Sequence, residues 1–424
     1  MDVTTRLFLA ARGGILAMLI ASTALADEVR IESTAYTLNG NIVIGEGRQF
    51  SDRFVLIVHG TLAHKDMELI EALQSVFQEA GQNSLAINLS LGIDDRKGFY
   101  PCDVLHTHRS GDALSEIGAW IDWLTEQGVK QIALMGHSRG ANQVAKYVLQ
   151  DKRSAQVAIL LAPPVSEAVA DDSVLQTIDA GSMDDTLQDI DFLHCKNTSV
   201  LASSYLSYYG PAASNDTINL LQDIDVPTLV LSGSQDEVVP ALASRMTEVE
   251  NSLVTHSDIY GARHFFRDLY TYDVVDSVIE FMGQQDESRL IAFATSVQED
   301  GKQSQATGQP LLVFVSQEGC QFCQRLRKQV LYPMVRAGEL DGKVILREVS
   351  LDSGFSLKGF DGVEIAGREF AARYNVFVTP TLLLLDGQGA SLVDPLLGTP
   401  NLEFYGFYLD KKIEAATEAL ETSQ

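Results

Sequence analysis

Apolar runs alternate with amphipathic stretches along the first two thirds of the chain. Runs at residues 54–59, 84–90, 131–136 and 156–162 have the length of buried strands, and residues 65–80, 111–127 and 139–150 between them carry helical spacing. Strands buried on both faces and separated by helices specify a mostly parallel, doubly wound sheet. Residues 36–44 come before the first run with no helix between, and are expected to form early antiparallel strands. Further runs begin at Val226 and Leu253 and extend the sheet. Residues 163–226 break the alternation; they are rich in Ser and Asp, contain Tyr205, Tyr208 and Tyr209, and read as a cap.

The remaining third has its own pattern. Residues 288–300 look like a first helix, and a polar stretch over 301–309 leads into the apolar run 311–315. A helix-like segment covers 324–335, interrupted by Pro333, and a later strand over 376–385 is introduced by Thr379-Pro380. The joint falls at residues 283–287, Gly-Gln-Gln-Asp-Glu.

Composition then narrows compartment and partners. Arg6 and Arg12 precede an apolar stretch over 13–26 that closes with Ala24-Leu25-Ala26, the pattern of a cleavable secretory signal peptide over residues 1–26. Its apolar part is shorter than the ~20 residues a spanning helix needs, so the expectation is a periplasmic or secreted protein without stable membrane insertion. The rest of the chain exceeds what one hydrophobic core supports, which predicts domains at 27–283 and 284–424. A net charge of −26 argues against nucleic acid and anionic membrane as partners.

Candidate chemistry concentrates at strand ends. Gly136-His137-Ser138-Arg139-Gly140 sits between an apolar run and a helical run, the strand–turn–helix setting that lifts a serine Oγ clear of a sheet. The glycines two residues before and after leave room for the tight turn. His59-Gly60-Thr61 closes an earlier strand and offers backbone N–H groups to a developing oxyanion. Asp236 follows another strand and His264 the last one, in the order Ser, Asp, His.

Through these residues the chain resembles the α/β-hydrolase superfamily over about residues 30–283, with a small cap at about 163–226. The resemblance implies Ser138 as nucleophile, His264 as general base and acid, Asp236 as its orienting carboxylate, and the N–H groups of Thr61 and Arg139 as oxyanion hole. A small acyl ester or thioester would be the substrate, processed through an acyl-enzyme.

Four cysteines in an exported chain raise the question of disulfides. Cys320-Gln-Phe-Cys323 follows an apolar run and opens a helix, where a thiol is activated and its neighbour three residues on can resolve a mixed disulfide. With Thr379-Pro380, this half resembles the thioredoxin superfamily over about residues 284–424, as a smaller thioredoxin-like α/β domain. The resemblance implies Cys320 as attacking thiol, Cys323 as resolving thiol, Pro380 as a cis-proline beside them, and a thiol–disulfide redox partner protein. Glu318-Gly319 before the motif departs from the tryptophan-flanked thioredoxin pattern and leaves the redox direction open. Cys102 and Cys195 are candidates for a structural disulfide, with a metal cluster including His106, His108 and His194 as the rival. Neither proposed reaction calls for a metal or organic cofactor. The alternative reading is a redox protein whose hydrolase half serves only recognition.

Overall fold

The computed structural model describes residues 27–33, 35–151, 155–166, 169–210, 213–399 and 401–422; the expected signal peptide, residues 1–26, lies outside the described residues. Two compact units divide at Val278 and Ile279. Among the described residues no helix is long and apolar enough to cross a membrane.

The first unit begins with strands β1 (Asp27–Glu32), β2 (Thr37–Val43) and β3 (Phe54–Val58), then helix α1 (Glu68–Glu79), β4 (Asn83–Asn88) and α2 (Asp112–Glu126). It continues with β5 (Ile132–His137), α3 (Arg139–Gln150) and β6 (Val157–Leu161). The cap contributes α4 (Asp172–Asp179), β7 (Thr186–Phe192), β8 (Cys195–Leu201), α5 (Ala202–Tyr209) and α6 (Thr217–Leu221). The sheet then resumes with β9 (Thr228–Gly233), α7 (Leu242–Arg245) and β10 (Val254–Ile259), and the chain leaves the unit along α8 (Leu269–Leu290), whose residues from Ile279 belong to the second unit. Eight strands form one sheet in the order β1-β2-β4-β3-β5-β6-β9-β10. Only the β1–β2 and β2–β4 pairs are antiparallel. This is the α/β-hydrolase arrangement. Every residue of β3, β5 and β9 is buried, the reason their sequences read as predominantly apolar runs. In the cap, the β7–β8 hairpin forms a small core of its own with α4 and α5 around Phe192, Tyr205 and Tyr208.

The second unit has α9 (Val297–Thr307), β11 (Leu311–Ser316), α10 (Gln321–Leu326), a π-helical turn over Arg327–Leu331 and α11 (Tyr332–Arg336). Then come β12 (Ile345–Ser350), the hairpin β13 (Ser356–Lys358) and β14 (Glu364–Ala366), α12 (Gly367–Arg373), β15 (Thr381–Leu385), β16 (Leu396–Leu397) and α13 (Tyr405–Thr422). Its sheet runs β12-β11-β15-β16, with β11 and β12 parallel and the other pairs antiparallel. One apolar cluster gathers α10 and α13, and another gathers α9 and α12, giving the layered thioredoxin-like fold.

The strand expected over 376–385 is formed only by Thr381–Leu385, and three helical details also depart from the sequence expectation. Residues 283–287 form no loop but part of α8, where Gly283 faces open space and Met282, Gln284 and Gln285 beside it are good helix formers. The first helix of the smaller domain lies at Val297–Thr307, not at 288–300. Residues before it run extended, bridging Phe293 to Glu348 and Ser296 to Lys358. Ser296 then caps the helix by accepting from the Glu299 N–H, and Gly308 ends it at φ 70°. Gly301 inside this helix looks like a breaker, yet a Cβ there would stand 2.4 Å from the Gly387 carbonyl oxygen. The third is the helix containing Pro333: it starts directly after Cys320, and its turn widens to the π form just before the proline.

Glu116 of α2 is buried and accepts from the Ser90 N–H at 2.8 Å. Burial pushes its carboxyl up to about 7, outweighing the Ser90 hydrogen bonds. A carboxyl raised above its ordinary value of 4.5 stabilises the fold below that value and loses the contribution as pH rises towards 7. Glu116→Gln is therefore expected to gain in melting temperature relative to wild type between pH 5 and pH 8, measured by calorimetry; a constant difference would remove the buried-carboxyl account.

Candidate active sites

Ser138 stands between β5 and α3 with φ 55° and ψ −122°, a backbone conformation that side-chain-bearing residues rarely adopt. The flanking glycines make it attainable. A Cβ on Gly136 would lie 2.3 Å from the Gly140 carbonyl oxygen, and one on Gly140 would lie 2.4 Å from the Val58 carbonyl oxygen. The Ser138 N–H is held by the Leu161 carbonyl at 2.8 Å, so the turn is anchored to β6.

Asp236 follows β9 and His264 follows β10, neighbouring parallel strands whose exits converge. His264 Nδ1 lies 2.8 Å from Asp236 Oδ2. The other carboxylate oxygen accepts from Val238 N at 2.7 Å and Val239 N at 3.0 Å. Burial alone would raise the Asp236 carboxyl; the His264 and Val239 hydrogen bonds more than offset it and hold the group below its ordinary value. A carboxylate at Nδ1 fixes the proton there and leaves Nε2 as the basic nitrogen. The loops meet because Gly233 has no side chain: a Cβ would stand 2.6 Å from the Ala262 carbonyl oxygen.

Two further histidines position these loops, and sequence reasoning assigned neither role. His137 Nε2 donates to the His264 carbonyl at 2.8 Å, and burial, with His264 beside it, pushes His137 down to about 3. His59 Nε2 accepts from Leu89 N at 3.1 Å, so Nδ1 carries the proton and donates to the Gly60 carbonyl at 2.9 Å. Burial and then the Arg96 guanidinium push His59 down to about 3. Arg96 itself donates to the carbonyls of Leu89 and Ala63 at 2.7 Å and 2.8 Å, clasping the segment around Thr61. No local sequence signal marks Arg96, whose partners lie up to 37 residues away.

Thr61 adjoins Gly60, which packs 3.3 Å from Ser138 Cβ by the position of its missing side chain. The Arg139 N–H is the first of α3, where a helix provides no acceptor. Ser138, His264, Thr61 and Arg139 all line one cavity of about 840 Å³, with Met67, Phe99, Val165, Val239 and Phe265 supplying apolar wall.

Cys102 and Cys195 are joined by a disulfide, with Cα atoms 5.3 Å apart. It ties the loop before α2 to the β7–β8 hairpin, whose tip carries His194 into the cavity wall. His106 and His108 engage each other at 3.2 Å, and His108 reaches the Tyr208 hydroxyl at 2.9 Å. Of the groups weighed as metal ligands, the two sulfurs are bonded to each other and His106 and His108 meet through one nitrogen each, while His194 stands apart in the cavity wall. Among the described residues there is no group of three or more His, Cys, Asp or Glu side chains arranged to hold a metal ion.

In the second unit Cys320 and Cys323 are disulfide-bonded, with Cys320 partly exposed and Cys323 buried. Cys320 caps α10: its Sγ accepts from Cys323 N at 3.1 Å. The Thr379 hydroxyl donates to the same sulfur at 3.5 Å, and the Thr379–Pro380 peptide is cis. Phe322, Phe377 and Val378 are exposed by 57%, 81% and 51%, an apolar rim next to a sulfur that solvent reaches.

A family model described as a thioredoxin-like domain matches residues 297–399. No curated protein matches the chain. Among solved structures it is similar to Est1E from Butyrivibrio proteoclasticus, at 20% identity over 61% of this chain and 98% of that chain, TM-score 0.44. It is likewise similar to an alpha-beta serine hydrolase homologue from Coxiella burnetii, at 18% identity over 60% and 96%, TM-score 0.40. A third is the alpha/beta hydrolase GrgF from Penicillium sp. sh18, at 16% identity over 62% and 99%, TM-score 0.47. The first unit has the α/β-hydrolase fold and the second the thioredoxin-like fold; what each does is read from its own side chains.

His137→Phe keeps the ring and removes the donor to the His264 carbonyl; its other nitrogen is already buried without a partner. The expected outcome is a folded protein with similar melting temperature, phosphonylated at Ser138 by fluorophosphonate, with loss of fluoride, about tenfold more slowly or worse, because small displacements of a base are costly. An unchanged labelling rate would show that the bond does not position His264.

Proposed function

We propose that the first unit is a serine hydrolase of esters or thioesters and that the second is a thiol–disulfide oxidoreductase, both working in an oxidising compartment after export. The observation that carries the hydrolase reading is the 2.8 Å contact of Asp236 with His264 Nδ1, in a cavity that His264 shares with a serine held on a strained turn. Ser138 Oγ attacks the acyl carbonyl while His264 Nε2 takes its proton. The N–H groups of Thr61 and Arg139 receive the oxyanion, and the proton on His264 passes to the departing alcohol or thiol. Water, deprotonated by His264, then cleaves the acyl-enzyme and restores Ser138.

For the second unit, exposure selects Cys320 as the sulfur that meets a partner, and burial selects Cys323 as the one that resolves. Reduced Cys320 attacks a partner disulfide, releasing one partner thiolate; Cys323 then attacks Cys320, releasing the second and closing the internal disulfide. The partner is a protein presenting an accessible disulfide, or a dithiol when the reaction runs in reverse. The cystine Cys102–Cys195 supports placing the chain where disulfides persist.

A fluorophosphonate is expected to label one serine per chain, absent in Ser138→Ala, and turnover of a short-chain ester and its thioester is expected to fall in that variant by about a thousandfold or more. Labelling that survives Ser138→Ala, or none in wild type, refutes the hydrolase reading. For the dithiol, reduced Cys323→Ser should trap a disulfide-bearing protein such as insulin as a covalent adduct on a non-reducing gel. Adduct formation that persists in the Cys320→Ser/Cys323→Ser double variant would reject Cys320 as the attacking thiol.

A further inference from the structure

The charged side chains lining the cavity beside Ser138 are Asp66, Glu68, Arg139 and Arg267. Three of them have a counter-charge: Asp66 with Lys65 at 2.8 Å, and Glu68 with Arg267 at 2.9 Å. Arg139 has none among the described residues. Its Nε donates to Thr61 Oγ1 at 3.2 Å, its Nη1 to Asn215 Oδ1 at 3.1 Å, and its guanidinium lies 5.3 Å from the centre of the Tyr208 ring. These contacts hold the fork in place without neutralising it, and its Nη2 has no acceptor among the described residues. Asn215 is itself fixed, donating to the Tyr208 carbonyl at 2.7 Å. Burial pushes the Arg139 guanidinium below its ordinary range, the mark of a cation kept from water without a compensating anion. His194, on the cap hairpin tip at the same wall, is also lowered by burial and by Arg139, so it adds a neutral neighbour and no competing charge.

We propose that Arg139 receives an anionic group of the substrate, so that the hydrolase acts on esters or thioesters bearing a carboxylate near the scissile carbonyl. This rests on the serine-hydrolase reading of the same cavity. A planar guanidinium fixed on two of its edges presents paired N–H donors in the geometry that a carboxylate matches, and bringing in that anion gives a counter-charge to a half-buried cation. Arg139 immediately follows the nucleophile, so the anion would sit close to the reacting acyl group. The cation is local to the cavity, in a chain whose net charge is −26, so selectivity for the anion is set by contact and not by long-range attraction.

The test compares kcat/KM of the whole chain for matched esters in two arms. In the acyl arm mono-p-nitrophenyl glutarate is set against p-nitrophenyl valerate; in the leaving-group arm 4-carboxyphenyl butyrate is set against phenyl butyrate. Wild type is expected to prefer the carboxylate ester in one arm by about tenfold or more, the arm identifying where the anion sits. Arg139→Gln should collapse that ratio and Arg139→Glu should reverse it, with Arg139→Lys between wild type and Gln. Ratios near one in both arms, or a ratio that Arg139→Gln leaves intact, overturn the proposal while leaving the hydrolase reading standing. If no ester turns over and Ser138 takes no fluorophosphonate, it is the hydrolase reading that fails. Glutarate binding to Ser138→Ala, measured by calorimetry, then decides the anion site separately: binding lost in Ser138→Ala/Arg139→Gln supports it, and no binding in Ser138→Ala overturns it.

Discussion

The geometry of the first unit depends on one close approach, the passage of Gly140 across the carbonyl end of β3. A Cβ on Gly140 would stand 2.4 Å from the Val58 oxygen and 2.5 Å from the His59 oxygen. The same few atoms therefore join two things that the proposed chemistry needs together: the turn that carries Ser138, and the segment leading to Thr61. Gly60 reciprocates, its missing side chain leaving Ser138 Cβ at 3.3 Å. Backbone contact at this range transmits position with little slack, because interiors are close-packed and respond to a displacement of a methyl group. The strain at Ser138 persists because helix α3 and strands β3 and β5 over-determine the turn from three sides.

Around this contact the polar groups are buried and mostly uncharged. His59 and His137 are each neutral because burial disfavours the imidazolium, and each uses a single N–H to hold a backbone carbonyl. A neutral imidazole suits this task, since it fixes a loop without placing a positive charge beside it. Arg96 is the exception: its guanidinium is buried, and it is supported by the Leu89, Ala63 and Gly98 carbonyls, Asn88 and His59. Removing such a hub would strand several buried acceptors at once, a larger loss than any one of its bonds.

Much of this was legible in the sequence because the relevant signals are local. The strand–turn–helix around Ser138, the strand exits carrying Asp236 and His264, and the Cys320-Gln-Phe-Cys323 turn each lie within a few residues of an apolar run, and periodicity locates such runs. What escaped was set by distant chain. Gly301 reads as a helix breaker until Gly387 is brought against it, and residues 291–296 read as helix until Glu348 offers them an edge to pair with. Residues 283–287 read as a joint because Gly, Gln and Asp suggest a loop, yet only tertiary packing decides whether a polar stretch continues a helix such as α8. Arg96 and the Arg139 fork carry no local pattern at all, since their surroundings are carbonyls, side-chain oxygens and a ring assembled by the fold.

The second unit poses a different physical problem, since a sulfur proposed to meet another protein cannot be packed as Ser138 is. Cys320 stands at the start of its helix, partly exposed, while the helix behind it is tied down from within. Glu348 on β12 is buried and bonded to Arg327 in the π-helical turn and to the Ser316 hydroxyl at the end of β11. The Arg327 guanidinium also covers the Phe314 ring, 4.9 Å from its centre. Breaking one side of such a buried pair leaves an uncompensated charge, so the helix is held against the sheet by a contact that resists being opened. The widened turn at Arg327–Leu331 precedes Pro333, which has no N–H to donate to the turn before it, and it carries Arg327 to the carboxylate. The proposed exchange of sulfur bonds would then fall at the helix start, where Cys323 N and the Thr379 hydroxyl already point at Cys320 Sγ.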